Sequence, residues 1–282
     1  MWFSEKTLVL VDTRSAALAV YRQGFSGPRL ERFGFERLGS RATQASQFSD
    51  VLAGSSDSVA RLARDLKAPL RDATLLLPLG ASFPSIVDVQ AQKQASTTEV
   101  EVADLVRFRL APLLPFPIAL SEVRTERSLA IRSGAVLAQA ILKTTITEGE
   151  KVMSSLGFLR PYVTSTLSAA LRGLPPRPGT VDLVFGDSAC AIAVRDVRGA
   201  IDAIRLRLLV EGDDRAQRSI DEALRATTEA REIRVLGEDA AALRGKARDS
   251  VVHSAFDEPA LRGAADPQQF PFLSVFHERA AK

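Results

Sequence analysis

The sequence predicts an α/β protein of two lobes built on one repeated unit. Three observations predict it. A pattern of strand, turn, strand, turn, strand, followed by a helix and a further strand, occurs twice along the chain. The two copies are separated by Gly173-Leu174-Pro175-Pro176-Arg177-Pro178-Gly179, the clearest Pro/Gly linker present. Hydrophobic residues make up 46% of the 282 residues and charged ones 25%, enough to build a sizeable core.

The first copy opens with an apolar run, Thr7 to Val11. The polar turn Asp12-Thr13-Arg14-Ser15 follows, then a second strand from Ala16 to Tyr21. Gly24-Phe25-Ser26-Gly27-Pro28 is the next turn, and Arg29 to Leu38 partly alternates as a third strand. Residues 40 to 56 are rich in Ser, Gly, Ala and Gln and read as a loop. Val59, Leu62, Ala63 and Leu66 share one face of a helix from about Ser58 to Lys67. Leu75-Leu76-Leu77-Pro78 reads as the end of a buried strand.

A distinctive block comes next. Ser85 to Gln90 is a short strand. Thr98 with Glu101 is a capping-box pattern opening a helix that carries Val102, Leu105, Val106 and Leu110 and ends near Pro112. Leu114-Pro115-Phe116-Pro117-Ile118 is a stiff extended stretch. Ala135 to Leu142 is a strand, and Thr145 with Glu148 predicts a second capped helix ending at Gly157. A short helix from about Ser165 to Arg172 leads to the linker.

The second copy repeats the opening. Val181 to Phe185 and Ala189 to Arg195 are strands around the turn Gly186-Asp187-Ser188, and Asp196-Val197-Arg198-Gly199 is a hairpin turn. Ala200 to Val210 is the third strand. Helices are predicted over about 214–228 and 238–246, with Ile233 to Leu236 a strand between them and a last helix over 269–279. In this alignment Ser15-Ala16 corresponds to Ser188-Ala189.

Composition excludes several classes. Net charge is +3 with no dense Lys/Arg run interleaved with aromatics, so no nucleic-acid groove is expected. The single cysteine, Cys190, rules out a disulfide within the chain and fits a reducing compartment. His253 and His277 have no Cys/His/carboxylate cluster around them, so no metal site is expected. The N-terminal residues do not read as a signal peptide, and the longest nearly apolar run, Leu110 to Leu120, holds three prolines. No direct membrane span is expected.

The duplicated meander resembles the actin, Hsp70 and sugar-kinase superfamily. The middle block is similar to the PilM family of type IV pilus assembly proteins. The residues that carry this are Leu77-Pro78, the helix Val102 to Arg109, Pro115-Phe116-Pro117, the strand Ala135 to Leu142, and Val152 to Phe158 ending in Leu156-Gly157-Phe158. Thr164 to Leu171 stands in the place of the following helix. The order and spacing of these pieces carry the resemblance, over about residues 7 to 250. The cytoplasmic part of GspL of type II secretion is the neighbouring possibility.

The resemblance implies an actin-like (ribonuclease H-like) fold of duplicated lobes. These would span 1–173 and 180–282, with an α+β subdomain inserted in the first at about 78–142. The family's usual second-lobe insertion is reduced here, since only Glu211 to Thr228 is available for it. It also implies a cytoplasmic protein, peripheral at the inner membrane. Such a protein takes the cytoplasmic tail of a PilN-like inner-membrane protein in a groove between the first subdomain and the inserted one. It also communicates with the assembly platform and its motors, and a homo-oligomer is possible. Leu113, Leu114, Phe116 and Ile118 are candidate partner-binding residues, or else a packed loop.

Phosphate loops in this superfamily need glycine where backbone amides wrap the phosphates, and an acid beside them. The pattern is Asp-x-Gly twice, with paired glycines in the adenosine loop. Here the first loop is Asp12-Thr13-Arg14, followed by Ser15. The second is Gly186-Asp187-Ser188, with acid and glycine displaced. The adenosine loop is Leu236-Gly237-Glu238-Asp239. Asp12, Thr13, Ser15, Gly186, Asp187, Ser188 and Gly237 therefore read as vestigial nucleotide loops, with Asp12 either a remnant acid of the site or a turn former. No cofactor and no catalytic residue are predicted. The rival enzyme reading is a GDS-type esterase with Ser188 as nucleophile. Its Asp-x-x-His pair is missing, since Asp249 and His253 stand one residue too far apart, and a tight turn explains the triplet more simply. ATP binding by an actin-like assembly protein is the other alternative.

Overall fold

A computed structural model describes residues 5–24, 27–38, 48–89, 99–126, 129–209, 221, 232–237 and 251–255. The strands form three sheets. The first is ordered β3-β2-β1-β4-β8, from β1 (Glu5–Val11), β2 (Ser15–Gly24), β3 (Gly27–Arg37), β4 (Ala73–Leu77) and β8 (Tyr162–Ser165). The second is ordered β11-β10-β9-β12-β13, from β9 (Thr180–Phe185), β10 (Ala189–Arg195), β11 (Ile201–Leu208), β12 (Glu232–Leu236) and β13 (Val251–Ser254). Each has an antiparallel meander followed by two parallel strands, in the same spatial order. The repeat inferred from pattern is therefore a repeat of topology.

The third sheet, β5-β7-β6, is built from β5 (Phe83–Asp88), β6 (Ser121–Glu126) and β7 (Ala135–Leu142). Helix α2 (Glu99–Leu110) lays Val106 and Leu110 against Val87, Ala138 and Ala140 of this sheet. In the first lobe, α1 (Phe48–Asp65) and α3 (Lys143–Ser155) cover one face of the sheet, with Leu52, Val59, Ile146 and Met153 on Val9, Leu18 and Leu75.

The structure corrects several local expectations. Residues 48–56, read as loop, are the first half of α1. Val51, Leu52, Ser55, Ser58, Val59 and Leu62 are all buried, a helical spacing hidden because serine fills two of the inward positions. Ser55 fits there because its hydroxyl donates back to the Leu52 carbonyl at 3.0 Å. Helix α3 begins at Lys143 rather than at Thr145, and Leu142 at its N-cap offers no side-chain cap. Its start is set by the end of β7, so the Thr145–Glu148 pair lies within the helix. At its other end Gly157 adopts φ +88, Phe158 N–H reaches the Met153 carbonyl and Gly157 N–H the Ser154 carbonyl. That is a Schellman closure, and it is why the helix stops where the glycine falls.

Three strands escaped the sequence reading. β8 and β13 have only four residues each, too few to display alternation, and β6 is almost wholly polar. Ser165 ends β8 and caps α4 (Thr166–Gly173), its hydroxyl accepting from Leu167 N–H at 3.1 Å. The predicted cap Thr98 and the predicted helices over 214–228, 238–246 and 269–279 lie outside the described residues, Asp221 excepted.

The linker is strapped to the second lobe. Asp182 is fully buried between two arginines, with Arg195 Nε at 2.6 Å and Arg234 Nε at 2.6 Å. Arg234 also donates to the Pro175 carbonyl, and Arg195 to that of Gly199. Arg177 pairs with Glu232 at 2.9 Å.

Candidate functional site

The meander turn of each lobe forms the same way. Asp12 N–H donates to the Ser15 carbonyl at 2.8 Å, and Gly186 N–H to the Ala189 carbonyl at 2.8 Å. Strand register agrees, with Val11 opposite Ala16 and Phe185 opposite Cys190. Asp12 thus corresponds to Gly186, Thr13 to Asp187, Arg14 to Ser188 and Ser15 to Ala189. The alignment of Ser15 with Ser188 is one residue out. A one-residue slip swaps the faces of a strand, and both repeats are apolar on both faces, so hydrophobicity alone could not fix the register.

The two turns meet across the lobes and exchange carboxylates. Asp12 Oδ2 accepts from the Asp187 N–H at 2.9 Å, while its Oδ1 accepts from Thr13 N–H at 2.8 Å. In return Asp187 Oδ2 accepts from the Arg14 N–H at 2.9 Å and the Ser15 hydroxyl at 2.8 Å. The Asp187, Thr13 and Arg14 amides of the two turns thus already have carboxyl oxygens as acceptors. Asp12 is 4% exposed. Burial pushes its carboxyl up from the ordinary 3.8 to about 7, and the Asp187 charge adds to the rise. Hydrogen bonds from the Asp187 and Thr13 amides and the Ser188 side chain oppose it.

Close approach fixes Gly186. A Cβ there would stand 2.9 Å from Asp12 Oδ2, closer than such atoms come. Beside it, the single helical turn Leu79–Ala81 follows β4 and enters the second lobe. Leu79 is buried in a core shared by both halves, with Leu137, Leu167 and Leu171 on one side and Val184, Ala191 and Leu236 on the other. The inserted sheet clamps the same junction. Ile131 bridges Ile201 at the start of β11, with Ile201 N–H on the Ala130 carbonyl at 2.7 Å. Arg132 ties Asp88 at 2.7 Å and Asp202 at 3.2 Å.

The structure therefore brings Asp12, Thr13, Ser15, Gly186, Asp187 and Ser188 together. Gly237 follows β12, at the same end of the sheet, in the left-handed conformation with φ +80. Its neighbours Glu238 and Asp239 lie outside the described residues. His253 does not join Ser188. It shares a sheet row with Arg234 and Asp182, four residues before Gly186, about 13 Å along the strand at roughly 3.3 Å per residue. Among the described residues there is no group of three or more potential metal ligands, and no helix is long and apolar enough to cross a membrane.

Of the candidate partner-binding residues, Leu113 is exposed, while Leu114 and Ile118 pack onto the core of the inserted sheet. Phe116 is half-buried, edge-on to Phe83 with ring centroids 4.9 Å apart. A feature the sequence reading missed lies nearby. Arg124 of β6 donates to the Val163 carbonyl of β8 and lies over the Tyr162 ring, 5.0 Å from its centroid. Arg124 thus bridges the edge strands of the first and the inserted sheets, with Tyr162 exposed beside it. Nothing in a tetrapeptide strand and a polar hexapeptide would have announced it.

Two meander-plus-parallel sheets joined at their turns, with a small sheet inserted in the first, define an actin-like fold. The sequence matches no family profile and no curated protein. In three dimensions the chain is similar to a chain of the PilM–PilN type IV pilus biogenesis complex. The match has a TM-score of 0.63 at 13% identity and covers 99% of this chain and 98% of that one. It is also similar to a Bacteroides thetaiotaomicron protein of actin-like ATPase fold and unknown function, with TM-score 0.54, 10% identity, and 86% and 88% of the two chains covered.

Proposed function

We propose that the protein is a non-catalytic scaffold of a type IV pilus assembly platform. It works at the cytoplasmic face of the inner membrane, where it holds the cytoplasmic tail of a PilN-like membrane protein and contacts the platform and its motor. The observation that carries this reading is the carboxylate exchange between the two turns. Asp12 and Asp187 occupy as acceptors the backbone donors on which a nucleotide of this fold depends, so the site is vestigial and needs no cofactor. Likeness in fold to PilM supports the assembly role. On this reading the lobes are 1–173 and 180–282, with the insertion at about 78–142. On it too, the partner tail lies along the β6 and β8 edges, near the Leu113–Ile118 segment.

Two measurements test the reading. Mg-ATP at saturating concentration is expected to leave the melting temperature unchanged, because a ligand that binds the folded state must raise it. A rise of several degrees overturns the vestigial site. Synthetic cytoplasmic tails of inner-membrane proteins encoded beside this gene are expected to bind the chain, and Tyr162→Ala to weaken that binding. If no such tail binds, the scaffold assignment fails.

A further inference from the structure

Helix α2 is apolar on two opposite sides. Val102, Leu105, Val106 and Leu110 turn inward to the inserted sheet. Val100 and Phe108 turn outward, 69% and 79% exposed, and Phe108 is the most exposed of the large hydrophobic side chains among the described residues. Positions 100, 104 and 108 form one row along a helix and 103 and 107 the next, so the outer strip reads Val100, Ala103, Asp104, Arg107, Phe108. All five are exposed, and neither Asp104 nor Arg107 is in an ion pair among the described residues.

We propose that this strip is a self-association surface, packed against the same strip of a second copy across a two-fold axis. The strip is complementary to itself. Two antiparallel α2 helices centred between residues 105 and 106 place Asp104 opposite Arg107 of the other copy, and Arg107 opposite its Asp104. The same axis sets the large Phe108 against the small Ala103 on both sides. An isologous interface requires that every residue meet a complement within its own patch, and these four residues satisfy it in charge and in size. A single sign of charge on the strip would instead call for a partner of the opposite sign. One three-turn helix buries far less than the roughly 1,600 Å² of a standard interface, so the contact is weak in dilute solution and forms where copies are crowded together.

Sedimentation velocity on the full chain over rising concentration tests this. Reversible dimerisation is expected, and Phe108→Ala should weaken it by at least about tenfold, as for a central aromatic anchor. Asp104→Arg and Arg107→Asp should each weaken self-association, while an equimolar mixture of these two variants should dimerise more tightly than either alone. All three changes fall on exposed side chains, so unchanged melting temperatures will show that the fold is intact. A monomeric wild type at the highest concentration overturns the proposal. So does a dimer indifferent to Phe108→Ala, or a mixture no tighter than its components. Protection of Phe108 by a partner tail peptide without self-association assigns the strip to that partner, which also overturns it.

Discussion

Replacing Asp12 by asparagine should remove a defined segment of the protein's pH dependence. The folded carboxyl holds its proton up to about pH 7, against an ordinary value of 3.8. Between those values the folded state carries a proton that the unfolded chain has released, so stability falls as pH rises through the window and levels off above it. The gap of about 3 units, at about 1.4 kcal/mol per unit, amounts to about 4 kcal/mol. Because Asp12 is almost fully buried, solvent screening does not reduce this. The amide introduced by Asp12→Asn cannot titrate, and it offers one acceptor oxygen where two are used, a pH-independent loss of about 1–3 kcal/mol. The assay is urea unfolding of both proteins at fixed ionic strength from pH 4 to 8. Taking the difference removes opposing contributions from Glu5, held low by its hydrogen bond to Arg22, and Asp88, held low by Arg132. Those carboxylates stabilise above their unfolded pKa and lose that contribution as pH falls through the folded one. The wild-type advantage should shrink steadily as pH rises from about 4 to about 7 and then level off. A difference that stays flat with pH would refute the buried, proton-holding Asp12.

Two further substitutions probe the same architecture. Gly186→Ala drives a methyl to 2.9 Å from Asp12 Oδ2 and should destabilise by about 1–3 kcal/mol, read as a lower urea midpoint with unchanged slope. Asp182→Ala strands the buried Arg195 and Arg234 guanidinium groups together and should cost about 3–5 kcal/mol. A loss below about 1 kcal/mol would mean that water reaches the pair.

Much of the frame was legible in the sequence. Ala135–Leu142 and Ala189–Arg195 coincide with observed strands because long apolar runs between turns admit little else. The turns at Asp12 and Gly186 were likewise readable from their Asp, Gly and Ser content. What could not be read is pairing between distant residues. Asp187 lies 172 residues from Ser15, and no local pattern tells that its carboxylate serves the first turn rather than its own. The same holds for Arg234, which a strand of alternating character would place in solvent, yet which is fully buried against Asp182. The turn residues could be singled out from short local motifs but their cross-turn partners could not, since a carboxylate's partners are set by what it faces.

On the scaffold reading, the offset between the two turns ties their closure to the loss of the phosphate loops. In the equivalent frame the acids stand one position apart, Asp12 at the first place and Asp187 at the second, and each can therefore reach the other turn's amides. An aspartate at position 186, the place equivalent to Asp12, would begin with a Cβ only 2.9 Å from Asp12 Oδ2 and would press a second carboxylate onto a buried one. Two first-position acids thus require the turns to stand further apart, as they would around a bound polyphosphate and its counterions. Gly186 instead lets the turns close on each other, and Leu79 and the shared apolar core hold them there. Reopening the cleft would break the cross-turn hydrogen bonds from Asp187 N–H, Arg14 N–H and the Ser15 hydroxyl and expose that core. On the scaffold reading, the lobes therefore form a fixed platform that offers its partners the β6–β8 edge and the outer strip of α2, and not a nucleotide-gated clamp.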